Sequence, residues 1–392
     1  MIVLANAHVV LPDRILSPGA VLLEGDRILD VVSEAPAASP GDLRLDLQHQ
    51  TIVPGFIDVH VHGVEGSDSL DGTGAIARIA AALPRYGVTA FCPTSVACDP
   101  AALRTMLSDV RSARLTRPSG SSRVLPAHLE SNFINPDYRG AQPLDCLRLP
   151  GGAAVDGTFT GEEILQEIAA ARPDVGILTI APEIDGALAL IRSLCGFGHH
   201  VSLGHSGATY EQALAGIDAG ARHATHLFNR MPPLGHRAPG LAGAVLEHDD
   251  VVAEIVCDGV HVHPSMVRVA VAAKSPSRIM AITDATSGAG LAPGARASLG
   301  GRAITISDAA YLDDGTLAGS VLTMNRAFAL LTSLMGLSVI DAATVCSTTP
   351  ARALGLQGFG VISPGAVADL AILGPDLTVT QTWIAGELAF GR

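Results

Sequence analysis

Val53-Pro54-Gly55-Phe56-Ile57-Asp58-Val59-His60-Val61-His62-Gly63 is an apolar run that ends on two histidines separated by one residue. It has the composition and length of a buried β-strand. Side chains at i and i+2 of a strand point the same way, so both imidazoles face one side of the sheet, where one divalent metal can hold them. A metal-dependent enzyme is therefore the first expectation. His-x-His pairs also occur among ordinary core and surface histidines, so the other ligands must come from elsewhere in the chain.

Outward from this strand the pattern repeats. Short apolar runs at 56–62, 88–94, 124–130, 176–181, 201–205, 223–228, 252–258 and 279–284 alternate with stretches of helical periodicity at 75–85, 101–113, 161–171, 187–195, 210–219 and 264–273. Eight strand-helix units in one chain indicate a closed barrel more readily than an open sheet. Residues 319–355 look like further helices closing it. The two ends differ: 1–52 and the stretch after 355 read as short strands around turns, and neither can bury a core alone. The expected fold is α/β, a TIM-like (β/α)8 barrel over 53–354 with a small β-sandwich built from residues 1–52 and 355–392.

Bulk properties narrow the function. At 392 residues, 48% hydrophobic and with 42 glycines, the chain suits a large α/β protein. A net charge of -13 opposes a nucleic-acid surface, which needs a basic stripe; an anionic ligand must meet a local basic pocket. No leader-like segment opens the sequence and no apolar stretch is long enough for a bilayer, so a cytoplasmic protein without a membrane partner is expected. The six cysteines show no C-x-x-C spacing and are read as buried free thiols. Lys274 is the single lysine among 25 basic residues.

Barrel chemistry sits at the C-terminal ends of the strands, and the polar candidates fall there. His60 and His62 end the first strand, Glu130 the third, His205 the fifth and Asp284 the eighth, with His226 near the end of the sixth. One such histidine is ordinarily a satisfied hydrogen bonder; six residues at matching depth point to a common site. Imidazole and carboxylate hold zinc, iron, manganese or cobalt and leave a position open for water. Two ions would need a bridging anion. A carbamylated lysine does not fit, because Lys274 lies in a helical stretch between the seventh and eighth strands, which leaves Glu130 as the shared carboxylate. Asp284 stands alone in its segment and suits a proton carrier, taking a proton from water and returning it to a leaving group.

These residues resemble the amidohydrolase superfamily and, within it, the N-acetylglucosamine-6-phosphate deacetylase family. The resemblance covers nearly the whole chain. Its specific parts are the 54–63 stretch, His128-Leu129-Glu130, Ala181-Pro182-Glu183, Gly204-His205-Ser206-Gly207-Ala208-Thr209-Tyr210, Thr225-His226-Leu227-Phe228-Asn229, His236-Arg237-Ala238-Pro239-Gly240, Asp258-Gly259-Val260-His261, Thr283-Asp284-Ala285 and Leu317-Ala318-Gly319-Ser320. It implies that Glu130, His205 and His226 hold the principal ion, that His60 and His62 can hold a second, and that Asp284 is the general base and then acid. One or two divalent ions per subunit follow, zinc first. The resemblance also implies that a phosphorylated amino sugar is gripped by Asn229, Arg237, His261 and the turn of Leu317, Ala318, Gly319 and Ser320. Ala141, Gln142 and Arg230 are placed with them as substrate-binding positions, and a homodimer is expected.

Three departures from the family pattern bear on substrate. Ser131-Asn132 stand where Gly-Pro usually follows the strand-three glutamate, Gln142 where a histidine is usual, and Arg230 where a small residue is usual. The expected reaction is hydrolysis of N-acetylglucosamine 6-phosphate to glucosamine 6-phosphate and acetate. The alternative is another acidic or phosphorylated N-acyl or related amide. Cyclic-amide hydrolysis commonly uses the lysine carbamate that this chain does not offer, deamination would release ammonia, and a non-catalytic barrel would show gaps in the ligand set.

Overall fold

The computed structural model describes residues 1–37, 40–152 and 158–392. Eight parallel strands form the barrel: β1 (Phe56–Val61), β2 (Val88–Ser95), β3 (Ala127–Leu129), β4 (Val175–Ile180), β5 (His200–Leu203), β6 (His223–Ala224), β7 (Val252–Val256) and β8 (Ile279–Ile282). Helices α1 (Ala75–Ala82), α2 (Pro100–Leu115), α3 (Gly161–Ala170), α4 (Ala187–Gly196), α5 (Tyr210–Asp218), α6 (Gly240–Glu247), α7 (Pro264–Lys274) and α8 (Met324–Ser333) accompany them. Local chemistry starts several of these helices. Asp99 accepts from the first-turn amides of α2, and Thr160 with Glu163 and Thr209 with Gln212 form capping boxes at α3 and α5.

The (β/α)8 expectation is met. Strands pair in sequence order from β1 to β8, and the ring closes where Val61 bridges to Ala285 and the amides of His62 and Gly63 both donate to the Ala285 carbonyl at 2.8 and 2.9 Å. β5 and β6 are shorter than the sequence reading, because the chain leaves strand geometry at His205 and His226. Two features escaped the pattern reading: α6, and a three-stranded antiparallel sheet of Arg296–Leu299, Arg302–Ile306 and Ala310–Leu312 inserted between β8 and α8.

Both chain ends join in one eight-stranded sheet, from Ile2–Val10 through Thr51–Pro54 at the N-terminal side to Leu370–Leu373, Val379–Ile384 and Glu387–Gly391 at the other. It folds over a core that includes Leu4, Val9, Val21, Ile52, Ile372 and Trp383, and a bridge from Arg27 to Val367 joins its two halves. This is the expected sandwich, made by one folded sheet. Its strand Thr51–Pro54 leads into β1 after the single residue Gly55, so the sheet and the first ligand strand are mechanically continuous.

The barrel interior is polar. Thr179 Oγ1 bonds both His128 Nε2 (2.9 Å) and Thr225 Oγ1 (2.8 Å), and Thr225 Oγ1 also meets Ser202 Oγ at 2.7 Å. On the opposite side Thr283 Oγ1 donates to Asp58 Oδ2 at 2.6 Å, across the β1–β8 seam. Lys274, at the end of α7, is buried with Nζ donating to the His248 carbonyl at 2.6 Å, and burial with Arg278 nearby pulls its pKa down to about 8. Among the described residues, no helix is long and apolar enough to cross a membrane.

Asp369 receives Arg123 Nε at 2.9 Å and the Ala385 amide at 2.7 Å, tying barrel to sheet with a side chain that is 4% exposed. Asp369→Ala strands a guanidinium and an amide, and should cost about 3 kcal/mol in urea unfolding. Asp58 is fully buried, which pushes its carboxyl up to about 7 despite the hydrogen bonds from Thr283 and His60. A carboxyl raised in the folded state contributes stability below its unfolded value near 4, and that contribution is lost as pH rises through 7. Chelator-treated wild-type protein should therefore lose more stability between pH 5 and pH 7.5 than Asp58→Asn; equal losses would show that Asp58 is not the titrating group.

Candidate active site

Asp58, His60 and His62 alternate along β1 and its end, so all three project to the same side. At the C-terminal mouth His60 Nε2 lies 3.2 Å from His62 Nε2. Glu130, just past β3, presents Oε1 to His205 Nε2 at 2.7 Å and to His226 Nε2 at 2.8 Å, and these two ring nitrogens are 3.0 Å apart. Asp284 Oδ1 lies 3.5 Å from His60 Nε2 and 3.2 Å from His62 Nε2. Six residues from five strands thus converge as the sequence reading expected.

The donors fit a divalent ion. Glu130, His205 and His226 form one compact group of metal-ligating atoms, and His60, His62 and Glu130 a second. A tetrahedral ion with bonds of 2.0–2.1 Å has ligand atoms about 3.3 Å apart, close to the spacing of the first group. The ring tautomers also suit. His205 Nδ1 donates to the Tyr138 carbonyl at 2.9 Å and His60 Nδ1 faces Glu254 Oε2 at 3.0 Å, so each directs Nε2 into the site. Of the clustered rings, His62 and His226 have a buried Nδ1 without a partner.

The electrostatics follow from burial and crowding. Burial lowers His60 to about 4, against the pull of Asp284 and Glu130. For His226 burial works in the same direction, but the hydrogen bond and charge of Glu130, with Asp284 and Glu254 behind it, raise the ring to about 9. Burial opposes the charge on Glu130, and the His205 and His226 contacts outweigh it, holding the carboxyl well below the usual range. Glu254 is driven up to about 7 by burial.

The backbone is bent to make this site. His205, His226 and Asp284 have φ of 47°, 29° and 50°, a left-handed conformation that costs a non-glycine residue about 1–3 kcal/mol. Neighbouring groups hold it in place. Glu183 accepts from Ser206 Oγ (2.7 Å) and the Gly207 amide (2.6 Å), directly after His205. The Asp284 amide donates to the His60 carbonyl at 3.0 Å, and the Asp284 carbonyl accepts from the Ser320 amide at 2.7 Å.

A cavity of about 50 Å³ opens on the cluster, lined by His62, Glu130, Ala141, Gln142, His205, His226, Asn229, Arg230, His261, Asp284, Leu299, Leu317 and Gly319. That volume admits an ion and a water or two. A larger cavity of about 680 Å³ adjoins it through Gln142 and contains none of the clustered histidines. The lining leaves out three expected substrate positions. Arg237 is exposed on the segment before α6, Ala318 packs into a small core with Ile304 and Leu312, and the Ser320 hydroxyl donates to the Thr283 carbonyl at 2.6 Å. Arg230 lies across Gly140, where a Cβ would stand 2.5 Å from its Nε. His261 lines the cavity with Nδ1 held by Asp258 Oδ2 at 2.6 Å.

Two supports went unrecognised in the sequence. Glu254 sits inside the apolar strand β7, and a lone carboxylate in Ala253-Glu254-Ile255-Val256 was a signal of a buried partner. His128, quoted only as part of a motif, is a satisfied core residue that donates to the Val59 carbonyl at 3.0 Å.

Comparison with known proteins agrees with this geometry. The model of the amidohydrolase family matches residues 51–389. The N-acetylglucosamine-6-phosphate deacetylase of Bacillus subtilis (strain 168) is 32% identical over 99% of this chain and 97% of its own. The N-acetylgalactosamine-6-phosphate deacetylase of Escherichia coli O157:H7 is 34% identical, covering 87% of this chain and 88% of its own. Among solved structures, a mutant N-acetyl-D-glucosamine-6-phosphate deacetylase from Mycobacterium smegmatis in complex with N-acetyl-D-glucosamine-6-phosphate superposes with a TM-score of 0.89 at 34% identity, covering 99% of both chains. With the barrel, the ligand cluster and full-length similarity in agreement, the chain belongs to the amidohydrolase family, among its N-acetylhexosamine-6-phosphate deacetylases.

Proposed function

We propose that the protein hydrolyses the acetamide of N-acetylglucosamine 6-phosphate, giving glucosamine 6-phosphate and acetate. The observation that carries this reading is the meeting of Glu130, His205 and His226 within 3.0 Å of one another, with Asp284 beside them. Glu130, His205 and His226 would hold a divalent ion, zinc first among those that accept such donors, and when bound it would supply Lewis acidity to the acetyl carbonyl and lower the pKa of water. Asp284 takes the proton of the attacking water and hands it to the sugar nitrogen as the C–N bond breaks. Burial opposes its charge, but His60 and His62 outweigh that and hold its carboxyl below the usual value, so it is ionised and ready to accept. His60 and His62, with Glu130, would hold a second ion.

Recognition of the phosphate falls to the polar groups at the cavity. Arg230, exposed at the cavity's lining, supplies a guanidinium whose planar fork matches phosphate oxygens, and Asn229 and His261 stand alongside. Arg237, exposed outside the cavity, serves as an outer cation for the phosphate. Because Arg230 replaces a small residue of the family pattern, a different acidic or phosphorylated N-acyl amide is the second reading. The six free cysteines suit a reducing, cytoplasmic setting, and the protein works as a homodimer in this reading, on the strength of the family resemblance alone.

The direct test is acetate release by metal-loaded protein from N-acetylated hexosamines with and without a 6-phosphate, glucose and galactose epimers included. The phosphorylated glucosamine derivative is expected to be turned over fastest, and release from none of the panel would overturn the assignment. Asp284→Asn should lower kcat by about three orders of magnitude or more with near-normal metal content; full turnover would remove Asp284 as proton carrier. Arg230→Ala should raise KM about tenfold or more for phosphorylated sugars alone, and equal effects on unphosphorylated sugars would remove its phosphate role.

A further inference from the structure

We infer that Gln142 is a positioning residue for Glu130, and that its main partner is the metal ligand and not the sugar. The inference rests on the metal reading above and deepens it. Both ends of the Gln142 carboxamide are engaged by the protein. Oε1 accepts the Ala97 amide at 2.7 Å, and Nε2 donates to Glu130 Oε2. The orientation is not arbitrary: a backbone N–H can only donate, so the oxygen must face Ala97 and the nitrogen must face the carboxylate.

The two oxygens of Glu130 therefore have separate duties. Oε1 is shared by His205 and His226, and Oε2 is held by an amide that carries no titratable proton. A carboxylate pinned at one oxygen is not free to rotate, and the other oxygen stays aimed at the ion position. A histidine here would donate or accept according to its protonation; a glutamine donates at every pH.

The scaffold around Gln142 is built for this contact. Asn132 Nδ2 donates to the carbonyls of Cys98 (2.8 Å) and Cys146 (2.7 Å), joining the segment that carries Ala97 to the loop that carries Gln142. Arg302 reaches from the inserted sheet to the Ala141 carbonyl at 2.7 Å, and the Gln142 amide closes a turn on the Arg139 carbonyl at 3.0 Å. Ser131 is also turned inward, its hydroxyl on the Thr179 carbonyl at 2.6 Å. Three of the residues that depart from the family pattern, Ser131, Asn132 and Gln142, thus form one internal support for Glu130 and its loop.

The test separates metal affinity from sugar affinity. Zinc dissociation constants would be measured by competition with a fluorescent chelator for wild type, Gln142→Leu and Gln142→Asn, the last too short to span Ala97 and Glu130. KM for N-acetylglucosamine 6-phosphate would be measured at saturating zinc, and thermal stability on chelated protein. The expected result is zinc binding weakened about 10- to 100-fold in both variants, with KM within about twofold of wild type and a chelated-state melting temperature that does not track the loss. Gln142→Asn keeps the readout if Gln142→Leu fails to fold. Unchanged zinc affinity, with or without a raised KM, would overturn the positioning role. Wild-type protein that binds no zinc would remove the metal reading itself, and this inference with it, whereas zinc binding without deacetylation would leave the inference standing and remove only the substrate.

Discussion

The hydrogen bond from the Asp284 amide to the His60 carbonyl, 3.0 Å long at the barrel seam, is the contact on which the site depends. Residues from β1 and β8 are more than two hundred positions apart in sequence and become neighbours only because the ring closes there. Closure sets Asp284 against His60 and His62, and the Thr283 hydroxyl against Asp58 on the layer below. An open sheet of the same strands would leave β1 and β8 on opposite edges, and Asp284 would not meet His60 and His62.

Closure also explains how so many titratable groups stay buried. Asp58, His60, His128 and Glu254 are fully enclosed, and an unpaired ion in such surroundings costs several kcal/mol. Each is offset by a neighbour across the barrel: Asp58 by Thr283, His60 by Glu254, His128 by Thr179 and the Val59 carbonyl. The interior is thereby committed to a polar network, and the apolar work of folding falls to the layer between strands and helices, where Ile57, Val59, Leu129 and Ile255 lie. Left-handed backbone at His205, His226 and Asp284 adds to the cost, which the Glu183 and Ser320 contacts help to sustain.

Much of this was legible in the amino-acid sequence because it is periodic. Alternating apolar runs and helical stretches gave all eight barrel strands, and the polar residues at their ends stood out against apolar surroundings. What stayed hidden is not periodic. The inserted sheet at 296–312 is short, half-exposed and turned on Gly300-Gly301, with no long apolar run to mark it. Arg237, Ala318 and Ser320 matched a motif, yet the direction of a side chain on an irregular segment is decided by tertiary contacts: Ser320 faces the Thr283 carbonyl and Ala318 a small apolar core. Gln142 presents the same difficulty in reverse. Its place beside the site could be expected, but its amide is claimed by Ala97 and Glu130, which lie 45 and 12 residues away.

Lys274 is the single lysine of the chain. With Lys274 enclosed at the end of α7 and its nitrogen bonded to the His248 carbonyl, no lysine ammonium meets solvent. Reducing hexosamines open to aldehydes, and aldehydes condense with accessible side-chain amines. A surface whose side-chain cations are guanidinium groups offers no lysine amine to attack such an aldehyde, so imine formation with substrate or product has no exposed lysine on which to start.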